Sequence, residues 1–265
     1  MKGNRLFSRR FGYMLIFPSA IVFLIVSIYP LLTGIMLSFQ NSSLYKGDEK
    51  KFVGLKNIIT ILTSDAEFRS DLLFTVIYTI GIVVIAYITG LVFSLLLNTD
   101  VPCRTLFRVL ILIPWVISPA VSSMSWSWLL SDQYGFFNNF LKSIGVIDKS
   151  ILFLADKTLA KIMVIIIGAW RNFPFITVSL LAGLQGISKD YYEAADIDGA
   201  NKFQRFRYVT FPHLKNVSII TITLVSIWTF NNFDNIYMLT KGGPAQSTDC
   251  LLYTSPSPRD KRQSR

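Results

Sequence analysis

Histidine and cysteine are nearly missing from this 265-residue chain, which has one histidine, His213, and two cysteines, Cys103 and Cys250. That excludes a disulfide framework and a Cys/His metal cluster. No HExxH, GxSxG or GxxxxGK[ST] stretch occurs. Zinc-dependent hydrolysis, a serine nucleophile elbow and nucleotide hydrolysis at a phosphate-binding loop therefore lack their residues. No metal, no cofactor and no enzymatic activity are expected. Charge is scarce as well. Charged residues make up 16% of the chain, against about a quarter in an ordinary soluble domain. Apolar residues make up 52% and the mean hydropathy is +0.47. The balance points to lipid as the solvent. The net charge of +10 does not point to nucleic acid, because the basic residues lie between apolar runs rather than among aromatics on one surface.

Five apolar segments are long enough to cross a bilayer as helices, which takes about 20 residues each. They cover 13–39, 73–97, 106–130, 159–184 and 217–239. Prolines inside them (Pro18, Pro30, Pro114, Pro119, Pro174) are expected to kink but not to forbid spanning helices. The first run is too long for a signal-peptide core and follows Lys2, Arg5, Arg9 and Arg10 directly, so it reads as a retained anchor with a cytoplasmic N-terminus. Alternation then puts Arg104, Arg108 and the basic segment 186–215 inside, and 40–71 and 131–158 outside. The fold class expected is an all-α integral membrane bundle with five spans.

The segment between the fourth and fifth spans carries its own pattern. Ser188 or Asp190 can cap a short helix through Glu193, Ala194 and Ala195. Asp198, Gly199 and Ala200 follow, with Gly199 permitting a sharp turn. A second helix is expected from Lys202 through Phe203, Phe206 and Phe211, ending at Pro212. The result is a helix–turn–helix finger on the cytoplasmic side, and a connection of this length is commonly functional.

Glu193-Ala194-Ala195, Gly199 and Phe211-Pro212 together resemble the signature of permease subunits of binding-protein-dependent ABC importers. Phe211 stands where that family more often has Leu or Ile. Leu181-Ala182-Gly183-Leu184-Gln185, Phe52-Val53-Gly54-Leu55-Lys56-Asn57, the run Trp228 to Tyr237, and Lys241-Gly242-Gly243-Pro244 look like its sugar-permease branch, the maltose and glycerol-phosphate type. The resemblance covers 11–249. It implies a bacterial inner-membrane location, a second permease subunit, a pair of ATPase subunits, an extracytoplasmic solute-binding protein and a sugar-like solute. It makes the finger a coupling helix that docks on the ATPase through Glu193, Ala194, Ala195, Asp198, Gly199, Ala200, Phe203 and Pro212. The family has a sixth span after the Gly-Gly-Pro turn, which this chain is expected to lack. Residues 250–265 resemble the translation of a sequencing-library adapter, so the permease domain is read as 1–249 and the tail as foreign.

Polar groups inside a span are costly and commonly functional. Asn231, Asp234 and Asn235, at i, i+3 and i+4, are expected on one face of the fifth helix, lining a wet solute path flanked by Phe230 and Phe233. Trp170 and Asn172, beside Arg171 and Pro174, are candidates from the fourth span, since rings stack on sugar faces and amides bind hydroxyls. The alternative reading, an ion-coupled secondary transporter, would call for paired intramembrane carboxylates. Asp234 is the lone acid well within a predicted span, and the finger has no role in that reading.

Overall fold

The computed structural model describes residues 3–41, 51–99, 102–244 and 248, with side chains from Phe11 onward except that of Phe233. Residues 249–265, which hold the expected foreign tail, lie outside the described residues. The chain divides into two units, Met1–Arg69 and Ser70–Arg265.

In the first unit, α1 (Gly3–Phe23), a π-helical turn (Leu24–Ile28) and α2 (Tyr29–Ser38) follow one another without a break. They supply the first candidate span, Phe11–Ser38. A two-residue antiparallel ladder, β1 (Gln40–Asn41) with β2 (Lys51–Phe52), is the one sheet among the described residues. The Phe52 to Asn57 motif acts here. Gly54 takes φ +56°, where a side chain is strained. Asn57 Nδ2 donates to the carbonyls of Ser38 (2.9 Å) and Gln40 (3.0 Å), so the start of α3 (Lys56–Ser64) is tied to the end of α2.

The second unit is built around three long helices: α4 (Ala66–Asn98), which starts at its boundary, α8 (Lys157–Gln185), and α11 (Phe211–Phe230). Asp156 caps α8, its carboxylate accepting from the backbone N–H groups of Thr158 and Leu159, each at 2.9 Å. Lipid tails are as apolar as Leu, so helices in a bilayer associate through close packing and interhelical hydrogen bonds. Both occur here. Gly90 on α4 lies against Ile176, leaving 2.7 Å to Ile176 Cγ2 for a Cβ placed there, and Gly168 on α8 lies against Ile82. Tyr87 and Ser218 share a hydrogen bond of 2.8 Å between α4 and α11. Tyr78, Ile82, Val164, Ile167 and Ile236 form one buried cluster. Ala86, Ala169, Ile176, Leu180, Leu214 and Val225 belong to a second.

Among the described residues, four helices are long and apolar enough to cross a membrane. The third predicted span is the exception. Residues 106–130 do not form one rod but two helices, α5 (Arg104–Val116) and α6 (Pro119–Leu129), bent by 93°. Proline disfavours the helical region for the residue before it, and Ser118 is accordingly extended at ψ 139°. The bent pair makes a fifth span if it is counted as one. Beyond it, α7 (Phe136–Ser143) lies in the predicted outer loop, held by buried Asn138. Its amide donates to the Ile151 carbonyl at 3.0 Å and accepts from the Ile151 N–H at 2.8 Å.

Two prolines behave differently from expectation. Pro212 was expected to end the finger's second helix. Instead α10 (Lys202–Arg205) runs through a π-helical turn (Phe206–Thr210) into α11. A helical proline lacks its N–H and its ring meets the carbonyl four residues back. Widening the preceding turn relieves both, and the Phe211 N–H bonds to the Phe206 carbonyl five residues back. The π turn ahead of Pro30 does the same, with Tyr29 bonding to Leu24. Lys202–Phe230 is therefore one helical span of 29 residues, about 43 Å long at 1.5 Å per residue.

Candidate functional site

The finger is assembled from short-range signals. Ser188 caps α9 (Lys189–Ile197), its hydroxyl accepting from the Asp190 N–H at 3.4 Å. The helix stops in a six-residue Schellman arrangement. The Ala200 N–H bonds to the Ala195 carbonyl at 2.9 Å and the Gly199 N–H to the Asp196 carbonyl at 3.1 Å, with Gly199 at φ +74°. Asn201 and Gln204 then form a reciprocal capping box that starts α10, worth about 1 kcal/mol for the cap. Glu193 lies in the middle of α9, not its first turn, where the acid is Asp190. Its charge therefore does not act through the helix dipole, as its place near the helix start would have suggested.

The two arms are cross-braced by residues the sequence reading did not single out. Arg205 donates from Nη1 to both carboxylate oxygens of Asp196, at 2.6 and 2.9 Å. Its guanidinium lies 5.8 Å from the Tyr192 ring centre. The Tyr192 hydroxyl in turn shares a 3.1 Å hydrogen bond with Thr210 inside the π turn. Asp196 and Arg205 were present nine residues apart, but only the turn at Gly199 brings them together. The brace fixes the angle of α9 to the long helix. Ile197 and Phe203, 86% and 71% exposed, stand out from the tip, and apolar side chains held outward on a polar finger suit insertion into a partner's groove. Glu193, Ala194 and Asp198 are exposed, while Ala195 and Ala200 are half-buried. Between the arms runs a cleft of about 420 Å³ lined by Ala194, Ala195, Asp198, Gly199 and Ala200 among others. Exposed ion pairs contribute at most about 1 kcal/mol, so the brace tunes geometry rather than stability. Reversing either partner alone (Asp196→Arg or Arg205→Asp) should lower transport about fivefold with unchanged protein in the membrane. The double swap should recover part of it, the loss of the Tyr192 contact persisting. Uptake in proteoliposomes checks this.

At the base of the finger, Gln185 closes α8. With its amide oxygen turned toward α5, it accepts from Arg104 Nη2 at 3.1 Å and Arg108 Nη2 at 2.8 Å. The start of α5, the end of α8 and the finger thus share one end of this unit.

The proposed solute-path residues divide. The fifth helix breaks at Asn231 and Asn232, and α12 (Phe233–Thr240) begins anew. The two asparagines compete with the helix through their own amides: Asn231 Nδ2 donates to the Ile227 carbonyl at 2.8 Å, and Asn232 caps α12. The expected single stripe therefore does not form. Asn231 and Asp234 are exposed, but Asn235 is 1% exposed. Asn235 Oδ1 accepts from Ser123 Oγ at 3.1 Å and its Nδ2 donates to Tyr78 at 3.2 Å, joining α12, α6 and α4. Phe230 is exposed, and the Phe233 side chain lies outside the described residues. Trp170 meets Trp126 edge-on at 5.4 Å, and Asn172 donates to the Gly168 carbonyl at 2.8 Å. Arg171, between them, lies within electrostatic range of Tyr78 and Asp234.

Residues 90–252 match the family model described as binding-protein-dependent transport system inner membrane component. A probable ABC transporter permease of Brucella suis is 35% identical over 92% of this chain and 84% of its own length. The trehalose/maltose transport system permease protein MalF of Thermococcus litoralis is 37% identical over 91% of this chain and 81% of its own length. Among solved structures, a bacterial alginate ABC transporter, crystallised in complex with an alginate pentasaccharide-bound periplasmic protein, superposes with a TM-score of 0.75. The match covers 93% of this chain and 81% of that one at 20% identity, a likeness of fold.

Proposed function

This chain belongs to the family of inner-membrane components of binding-protein-dependent transport systems, and from that premise we propose that it forms the transmembrane path of an ATP-driven importer for a sugar or similarly polar solute. A solute-binding protein delivers the solute from outside, a second permease subunit completes the path, and a pair of ATPase subunits supplies the energy through the finger. The observation that carries this reading is the braced finger continuous with a 29-residue span. A rigid helix of this length links a cytoplasmic contact to the middle of the bilayer with no flexible joint between them. The sugar assignment draws on the trehalose/maltose relative and on the aromatic and amide groups near the break in the fifth span. Asn231 and Asp234 are the residues offered to the solute, and Asn235 holds the segment that presents them.

The test uses the assembled transporter with both native cysteines, the exposed Cys103 and Cys250, replaced by alanine, and single cysteines at positions 231 and 234. A membrane-impermeant thiol reagent is expected to label both, with the transported sugar protecting them. Uptake is expected to require ATP and to survive collapse of ion gradients. Labelling at neither position in any state of the cycle would remove these residues from the path. Uptake driven by an ion gradient without ATP would sink the importer reading itself.

A further inference from the structure

A crevice of about 440 Å³ opens between α4, α5 and α8, apart from the finger and sharing Trp170 alone with the solute-path candidates. Its lining is apolar and includes Phe93, Leu97, Phe107, Pro114, Trp170 and Phe173. On α5 the lining extends from Phe107 to Pro114, about 10 Å of helix rise, or roughly a third of a 30 Å hydrocarbon core. At the Phe107 end, the finger end of this unit, Arg104 stands one turn before Phe107 and Arg108 directly follows it. Both are half-buried. Their guanidinium groups converge on a single neutral acceptor, the Gln185 amide oxygen, and the Nε of each is buried without a hydrogen-bond partner. Among the described residues no carboxylate pairs with either. Two cations sharing one amide repel each other, and their remaining donors call for an anion.

An apolar slot within the span, with two under-neutralised guanidinium groups on the same helix next to its Phe107 end, has the chemical order of a phospholipid: chain, then phosphate. We propose that this crevice binds an acyl chain of an anionic phospholipid whose headgroup is held by Arg104 and Arg108. Guanidinium matches phosphate geometrically and forms charge-assisted bonds with it. A zwitterionic lipid offers the same chain but cancels its charge at the headgroup. The lipid would brace the ends of α5 and α8 at the base of the finger, whatever solute is carried.

The experiment uses the assembled transporter, purified in mild detergent with equal amounts of phosphatidylglycerol and phosphatidylcholine and read by native mass spectrometry. Wild type is expected to retain phosphatidylglycerol at least about tenfold over phosphatidylcholine. Arg104→Gln with Arg108→Gln should abolish that preference. Leu110→Trp, which fills the slot without changing charge, should lower retention of phosphatidylglycerol while the arginines remain. Lipid is counted per assembled complex, so a variant that assembles poorly is still read, and the two variants test headgroup and chain separately. Equal retention of the two lipids by wild type would overturn the proposal and place the neutralising charge within the protein, Asp100 being the nearest acid in sequence. A preference unchanged in the arginine variant would overturn it too. Displacement of the lipid by inorganic phosphate alone would show a simple anion site, and full retention in Leu110→Trp would mean that the slot holds something else, such as a helix of the second subunit.

Discussion

Gly199→Val in the complete transporter should reduce uptake at least about tenfold, while Gly199→Asn stays within about twofold of wild type. A Cβ built on Gly199 meets nothing within 4 Å, so size is not the obstacle. The backbone is, at φ +74°. That region costs an L-residue about 1–2 kcal/mol, more for a β-branched side chain, and Asn tolerates it best. Valine would push φ negative and open the Schellman turn, parting the bonds from Ala200 to Ala195 and from Gly199 to Asp196. With the turn goes the approach of Asp196 to Arg205, and α9 loses its fixed angle to the 29-residue helix. The spans themselves are untouched, so protein in the membrane should be normal. The measurement is uptake and ATPase activity in proteoliposomes: Val should uncouple the two and Asn should not. Equal failure of both would mean that a side chain of any kind is excluded by the docking partner, and the backbone explanation would fall.

The apolar runs were legible because bilayer thickness imposes a length that composition alone reveals. Spans 13–39, 73–97 and 159–184 recur in the structure with ends shifted by a few residues. The finger was legible because its cap, its turn glycine and its charges are local signals. What failed was continuity. Pro119 and Pro212 carry the same prohibition, yet one breaks a span at 93° and the other is absorbed by a π turn. The difference lies in what surrounds them. Thr210 in that turn keeps helical backbone angles and is held by Tyr192, whereas Ser118 is extended and the chain bends there. The stripe at Asn231, Asp234 and Asn235 was drawn on an uninterrupted helix. Periodicity cannot report that two adjacent asparagines will spend their amides on ending one helix and starting another. Nor can it report that buried Asn235 will find Ser123 and Tyr78, separated from it by 112 and 157 residues. Pairings at that distance belong to packing, and the Asp196–Arg205 brace is the short-range version of the same limit.

Packing also sets the second large effect. Gly168→Leu should remove nearly all assembled protein from the membrane, whereas Gly168→Ala should leave a destabilised but detectable fraction. Even a Cβ at this position would overlap Ile82 Cδ1 and sit 3.0 Å from its Cγ1 and 3.5 Å from Asn235 Nδ2. Ile82 is fully buried in the cluster with Tyr78 and Ile167, so it has little room to yield. Overpacking of this kind costs about 1–3 kcal/mol for one added methyl and more for a leucine. The second penalty is polar. A side chain at 168 crowds the amide that joins Tyr78 and Ser123, and a buried hydrogen-bonding group parted from its partner costs about 1–3 kcal/mol. Shortening the neighbour should answer the first penalty. Ile82→Val or Ile82→Ala combined with Gly168→Ala should recover stability relative to Gly168→Ala alone, although each Ile82 change by itself destabilises by leaving a cavity. A double-mutant cycle read as thermal inactivation of the purified transporter gives the coupling directly. Additive losses would show that α4 and α8 do not meet at this pair, and the close approach of the two helices at Gly168 would have to be abandoned.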